Sequence, residues 1–225
     1  MNATINHIGI LGLGSRSTLF YIEELNKKVH SVLGDYHTFP CIVYNVDFNT
    51  INPYLPNQFD KLVPKLKEHL DSLFKLKITV CIIPNITLHE TYDIGHLNFN
   101  ILHPIQLVIE FLKGNKINQI TVFGSKYTMT SNYLKTSLDK HHIRVEIPNN
   151  EDIKTIDLIR QKLYSYSETP SDIEHYNALI SKYSVKTHIL IACTELSILH
   201  HEIKLPAHVI DCASLQIEKT LTLTI

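Results

Sequence analysis

Several things are scarce in this sequence, and each scarcity excludes a class of protein. Cysteine is rare: four in 225 residues (Cys41, Cys81, Cys193, Cys212), with no C-x-x-C pair. That excludes a disulfide-built scaffold and a zinc ribbon, so a cysteine that matters here matters as a lone thiol. Charge of one sign is missing too. Lys and Arg number 21 against 22 Asp and Glu, for a net charge of -1. A nucleic-acid binder carries a basic excess, which this chain lacks. No apolar run reaches the roughly 18 residues of a membrane helix. No basic segment precedes the first apolar run, as a signal peptide would require. The expectation is a cytoplasmic protein that meets neither membrane nor nucleic acid.

What is present is ordinary in amount, with 44% hydrophobic and 19% charged residues, and regular in order. The length suffices for one large domain or two small lobes. Short apolar runs alternate with amphipathic stretches. Ile8–Leu11, Cys41–Tyr44 and Ile78–Ile83 read as strands. Between them, 17–33 and 59–74 carry apolar residues at helical spacing. Ser17 or Thr18 is the expected N-cap of the first helix and Gly34 its stop. Pro64 fits only a first turn, so the second helix is expected to start near it. The rhythm restarts at His103-Pro104. Strands follow at 120–123, 143–147, 188–192 and 209–210, with helices at 106–112, 128–139, 151–166, 171–183 and 214–223.

Alternating strands and helices predict an α/β fold with mostly parallel sheets flanked by helices. The restart predicts two similar lobes: residues 1–103 completed by 208–225, and residues 104–207. In parallel sheets ligands bind beyond the carboxyl ends of strands. The polar clusters there are Asn85-Ile86-Thr87-Leu88-His89 in the first half and Cys193-Thr194-Glu195 in the second.

The glycine turn Gly12-Leu13-Gly14-Ser15-Arg16-Ser17 follows a strand and precedes a helix, where backbone N–H groups can cradle an anion. As a dinucleotide fingerprint it is incomplete. Its third glycine is Ser17, and the acidic residue after the second strand, Asp47, lies well past the usual spacing of about 20. A small carboxylate suits it better; a tight turn without a ligand is the plain alternative. Cys193 sits between an apolar strand and a helix start, where a thiolate is favoured. Its plain alternative is a buried inert thiol, which Cys41 and Cys81 fit better. The fourteen histidines match no zinc spacing. The pairs His141-His142 and His200-His201 read as surface residues, and His89 and His103 as weaker candidates for polar site residues. No serine nucleophile elbow is present.

Taken together, these segments resemble the aspartate/glutamate racemase family, the cofactor-independent, cysteine-based amino-acid racemases. The likeness is carried by Ile8-Gly9-Ile10-Leu11-Gly12 with Ser17-Thr18, by Val46-Asp47-Phe48 (with Asn49 after it), and by Asn85-Ile86-Thr87-Leu88-His89. It continues through Leu102-His103, Gly124-Ser125-Lys126-Tyr127-Thr128-Met129 and Cys193-Thr194-Glu195-Leu196. The last is the sharpest motif.

The resemblance implies two lobes related by a pseudo-twofold with the active site between them, and a homodimer. It implies no metal and no other cofactor. One cysteine would remove the α-proton while another protonates the opposite face. Gly14, Asp47, Asn49, Ile86, Thr87, Leu88, Tyr127, Thr128, Thr194 and Glu195 would line the substrate, an amino acid or dicarboxylate. Lys154 would pair with its distal carboxylate.

Departures from the family pattern fall at the site. The first catalytic cysteine is replaced by Asn85, an amide that cannot act as a base near pH 7 and only donates or accepts hydrogen bonds. Ile86 replaces an asparagine and Gln216 a histidine. The glycine turn is one residue short and lacks the family's methionine, whereas Asp211 fits the pattern. The expected function is a racemase-like isomerase with Cys193 as its one thiol acid/base. Two alternatives stand beside it: a catalytically impaired relative that binds a small carboxylate or a protein partner, and a single-cysteine enzyme similar to arylmalonate decarboxylase.

Overall fold

The computed structural model describes residues 7–203 and 206–224. The chain divides into two compact units. The first runs up to His103 and resumes at Gln216; the second runs from Pro104 to Leu215.

In the first unit the order is β1 (Ile8–Gly12), α1 (Ser15–Leu33), β2 (Cys41–Asn45), α2 (Phe59–Phe74), β3 (Val80–Ile82) and α3 (Leu88–Ile94). The sheet is parallel with β1 in the middle, in the order β2-β1-β3. A central parallel strand is covered on both faces, so it must be apolar throughout, and every residue of β1 is buried. α2 packs Leu62, Leu66, Leu70 and Leu73 against it from one stripe. Each such leucine is worth about 1.5–3 kcal/mol of burial.

The second unit holds α4 (Pro104–Gly114), β4 (Gln119–Gly124), α5 (Lys126–Thr130), α6 (Asn132–Asp139) and β5 (Arg144–Glu146). Then come α7 (Asn150–Tyr164), α8 (Pro170–Ser184), β6 (His188–Ala192), α9 (Thr194–Ser197), β7 (Val209–Asp211) and α10 (Cys212–Thr222). Its sheet is also parallel, in the order β5-β4-β6-β7. Both units thus set their first strand between the second and the third. α7 turns Ile153, Ile156, Ile159 and Leu163 inward. α8 begins at a capping box in which Thr169 and Asp172 bond reciprocally. No described helix is long and apolar enough to cross a membrane.

Several elements differ from the sequence expectation. α1 starts at Ser15, with Gly14 as its N-cap, because the Ser17 and Thr18 hydroxyls are used elsewhere. Ser17 Oγ donates to Gly14 O, and Thr18 Oγ1 accepts from Leu13 N–H. Gly34 does close the helix, at φ 72°. α2 starts five residues ahead of Pro64, which sits inside it and forgoes one helical hydrogen bond. The stretch 128–139 is two helices, broken at the extended Ser131. α3 forms where no helix is expected. Leu19, Val32 and Leu33 fit the apolar spacing of α1, yet they are exposed.

The segment 208–215, which the sequence reading assigns to the first lobe, belongs to the second unit, because β7 pairs with β6. Residues 1–6 and 225, the outer ends of the expected first lobe, lie outside the described residues, as does the side chain of His201.

Candidate functional site

A parallel sheet opens its crevice beyond the carboxyl ends of the two strands where the strand order reverses. In the first unit those are β1 and β3, which bring the Gly12–Ser17 turn and the Asn85 segment to one end. In the second they are β4 and β6, which bring Ser125–Thr128 and Cys193 to one end.

The glycine turn is explained by packing. A Cβ on Gly12 would come within 2.6 Å of Asn45 Oδ1 and 2.9 Å of Thr18 Cγ2. The Leu13 N–H, one of the donors an anion would use, is taken by Thr18 Oγ1 at 3.2 Å. Gly14 is buried, in an extended conformation open to any residue. Asp47 is exposed. Its Oδ1 accepts the N–H of Asn49, also exposed, and starts a single 3-10 turn.

Asn85 is half-buried. Its Oδ1 accepts the Leu88 N–H at 3.0 Å, and its carbonyl oxygen meets His89 Nδ1 at 2.9 Å. A carbonyl only accepts, so Nδ1 carries the proton and Nε2 is a bare lone pair. That nitrogen is buried and has no hydrogen-bond partner among the described residues. Burial, then the neighbouring His103 ring at 4.8 Å, pushes the His89 pKa well below its ordinary value. Ile86 and Leu88 are buried and Thr87 is half-buried. This segment is a neutral, internally bonded turn. A fully buried ring tied to Asn85 is poorly placed to replace a missing base.

The end of β6 is different in kind. Cys193 is buried, 7% exposed, and its Sγ donates to Glu195 Oε2 at 3.0 Å. Thr194 is buried, and its Oγ1 lies 3.5 Å from the same oxygen. Burial raises the Cys193 pKa well above the ordinary thiol value. Glu195 adds to the rise through its charge and hydrogen bond, while Arg160 and the Leu196 N–H pull the other way. The expected stabilised thiolate is therefore overturned: burial and an adjacent carboxylate outweigh the four-residue helix that follows.

The other thiols are also held protonated. Cys81 is pushed up to about 12 by burial, and Cys41 and Cys212 are raised for the same reason. Only Cys193 has a carboxylate and a guanidinium acting on it from side chains.

Around this end, Ser125 caps α5 through Thr128. Its Oγ accepts the Thr128 N–H at 3.1 Å and lies 2.8 Å from Thr128 Oγ1. Tyr127 is half-buried. Lys154 is exposed on α7. Two residues here, Arg160 and Tyr176, carry no sequence signal of their own, and a third, Asp211, fits the pattern read from the sequence. Arg160 sits on α7, its Nε 3.0 Å from Asp157 Oδ1. Burial raises the Tyr176 phenol, as do the charges of Asp211 and Cys193. Asp211 is buried, accepting Ser197 Oγ at 2.7 Å and the Ser214 N–H and Oγ at 2.8 Å. His200, expected at the surface, is mostly buried with Nδ1 3.8 Å from Asp211 Oδ2. Gln216, at the family's histidine position, is buried in the first unit, where it accepts from Tyr21 OH at 2.6 Å.

No family model matches this sequence, and no curated protein sequence does. The likeness appears among solved structures. The chain is similar to an aspartate racemase homologue from Pyrococcus horikoshii, at TM-score 0.81 and 19% identity, over 98% of this chain and 99% of that one. It is similar to a candidate Asp/Glu racemase from Yersinia pestis, at TM-score 0.80 and 23% identity, over 98% and 99%. An arylmalonate decarboxylase is more distant, at TM-score 0.51 and 10% identity, over 97% and 92%. The resemblance read from the sequence motifs is thus met over nearly the full chain by structure: the fold is that of the aspartate/glutamate racemase structures.

Proposed function

We propose that this chain is a racemase-like isomerase acting at Cα of a small amino acid, aspartate, glutamate or a related carboxylate, with Cys193 as its proton-transfer group. The observation that carries this reading is the Cys193 thiol at the end of β6, 3.0 Å from Glu195 Oε2. A thiol acts as a base only after losing its proton, and Glu195 lies within hydrogen-bond reach to take it. The thiolate then removes the Cα proton: the Cα–H bond breaks, the S–H bond forms, and the electron pair stays on the substrate. When the S–H hydrogen exchanges with solvent, its return to the same face labels Cα without inverting it.

Inversion needs a second proton source. At the position where the resemblance places that thiol stands Asn85, whose Oδ1 is already used by Leu88 N–H. The expected activity is therefore one-sided exchange with little racemisation. The test is NMR in D2O, following deuterium at Cα of aspartate and glutamate. Exchange that disappears in Cys193→Ala supports the proposal. No exchange across a broad panel of amino acids rules it out.

One observation favours a second reading. Cys193 is held protonated, which suits delivering a proton to a carbanion made by loss of carbon dioxide. Carbon dioxide release from substituted malonates would select a decarboxylase. Ligand-induced thermal stabilisation with neither reaction would select a binding role, for a small carboxylate or for a protein partner. A cytoplasmic homodimer that needs no cofactor completes the proposal.

A further inference from the structure

The resemblance points to Lys154 as the cation that meets the substrate, but the side chains of α7 favour another. Arg160 lies six residues further along the helix, about 9 Å along its axis. Its Nε donates to Asp157 Oδ1 at 3.0 Å. Asp157 is itself held: Oδ1 also accepts the Lys126 N–H at 3.0 Å, and Oδ2 accepts from Gln161 Nε2 at 2.8 Å. The guanidinium is thus anchored by one edge. Among the described residues its two terminal nitrogens make no hydrogen bond. The side chain is largely buried yet keeps 24% exposure, enough for a ligand to reach it. α7 packs against α9, which begins at the residue after Cys193. The Arg160 charge acts on both Cys193 and Glu195.

An anchored guanidinium with its fork open is suited to a planar carboxylate taken in bidentate fashion. We propose that Arg160, not Lys154, is the residue that docks a carboxylate group of the ligand presented to Cys193. The inference rests on the proposed site, but it does not require turnover. It sets the ligand class as small molecules with a carboxylate to spare beyond the reacting centre. Glu195, beside the thiol, would work against a second anionic group there, so the guanidinium also sets which end of the ligand approaches sulfur.

The test compares alkylation of Cys193 by iodoacetate and by neutral iodoacetamide at alkaline pH, read by peptide mass spectrometry. In the unmodified protein the carboxylate reagent is expected to be favoured. That preference should fall about tenfold in Arg160→Gln and a few-fold in Arg160→Lys, which keeps the charge but loses the fork, and should be unchanged in Lys154→Gln. An unchanged ratio in Arg160→Gln, or a fall confined to Lys154→Gln, overturns the assignment. Should Arg160→Gln fail to fold, an unchanged ratio in Arg160→Lys overturns it equally. A second readout does not depend on thiol reactivity: malonate should raise the melting temperature of the unmodified protein and of Lys154→Gln, but less in Arg160→Lys. Absence of that rise in the unmodified protein also overturns it. Deuterium exchange with an unaltered alkylation ratio defeats the dock alone; a lost ratio in Arg160→Gln without any exchange defeats the isomerase reading alone.

Discussion

The ends of β3 and β6 occupy equivalent places in two sheets that both set their first strand between the second and the third, yet they hold opposite kinds of chemistry. After β3, Asn85 caps the local turn, His89 bonds to the Asn85 carbonyl, and burial keeps the His89 ring neutral. After β6, Cys193 shares its proton with a carboxylate while a guanidinium on α7 acts on both. The first end is held together by its polar groups. The second has polar groups to spare. Topology therefore supplies two equivalent strand ends, and side chains decide what chemistry each can hold.

The largest test of that contrast is Glu195→Gln. It removes the negative charge beside the sulfur and the proton acceptor for the thiol. The Cys193 pKa should fall, and its alkylation at pH 8 should rise about tenfold, because the thiolate no longer faces a neighbouring negative charge. Cα exchange should fall about 10²-fold or more, because the proton has lost its acceptor. Faster alkylation with unchanged exchange would mean that Glu195 only suppresses the thiolate.

Next in size is Asn85→Cys, which makes the two ends more alike. Racemisation should appear on top of one-sided exchange, seen as loss of optical rotation. Loss of the bond to Leu88 N–H should cost about 1 kcal/mol in chemical denaturation. A variant that loses stability and gains no racemisation would show that the first end lacks more than a thiol.

The sequence made much of the fold legible, for reasons specific to particular residues. Buried parallel strands such as Ile8–Leu11 and His188–Ala192 are continuous apolar runs, and the α2 leucines mark one face at helical spacing. Cys193-Thr194-Glu195 stood out as a local motif, and the contact between its thiol and carboxylate lies within three residues. Arg160 was not legible, since its importance comes from α7 packing on α9 far along the chain. The raised Cys193 pKa was not legible either, because it reflects burial that no local pattern records. Asp211 was recognised by its motif position, but its links to Ser197 and His200 are tertiary. The break at Ser131 and the ownership of β7 were missed because periodicity says nothing of which sheet a short strand joins.

The two units should also part in their response to acid, and His89 carries the larger difference. Its folded pKa lies well below the unfolded value near 6.5, so the unfolded chain binds a proton that the folded one refuses. Its contribution is fully present above pH 6.5 and is lost as pH falls below it. His89→Asn, which retains a donor for the Asn85 carbonyl, should flatten that slope in denaturation curves between pH 6.5 and 5. An unchanged slope would assign it to other histidines, His103 first among them.

The smallest expected effect lies in the second unit, at Asp172. Lys162 Nζ at 2.7 Å and the Thr169 hydroxyl and N–H hold its pKa down, at about 2. A depressed carboxyl contributes stability above its unfolded pKa, near 4, and loses it as pH falls toward 2. Asp172→Asn should therefore cost about 1 kcal/mol at neutral pH, the scale of a lost helix cap, and progressively less as pH falls through about 2. Hydrogen exchange resolved by segment would place the loss in α8 and leave the amides of β1 and α2 unchanged. Equal loosening in both units would mean that they unfold as one, and the contrast between their strand ends would then be one of chemistry only, with no counterpart in stability.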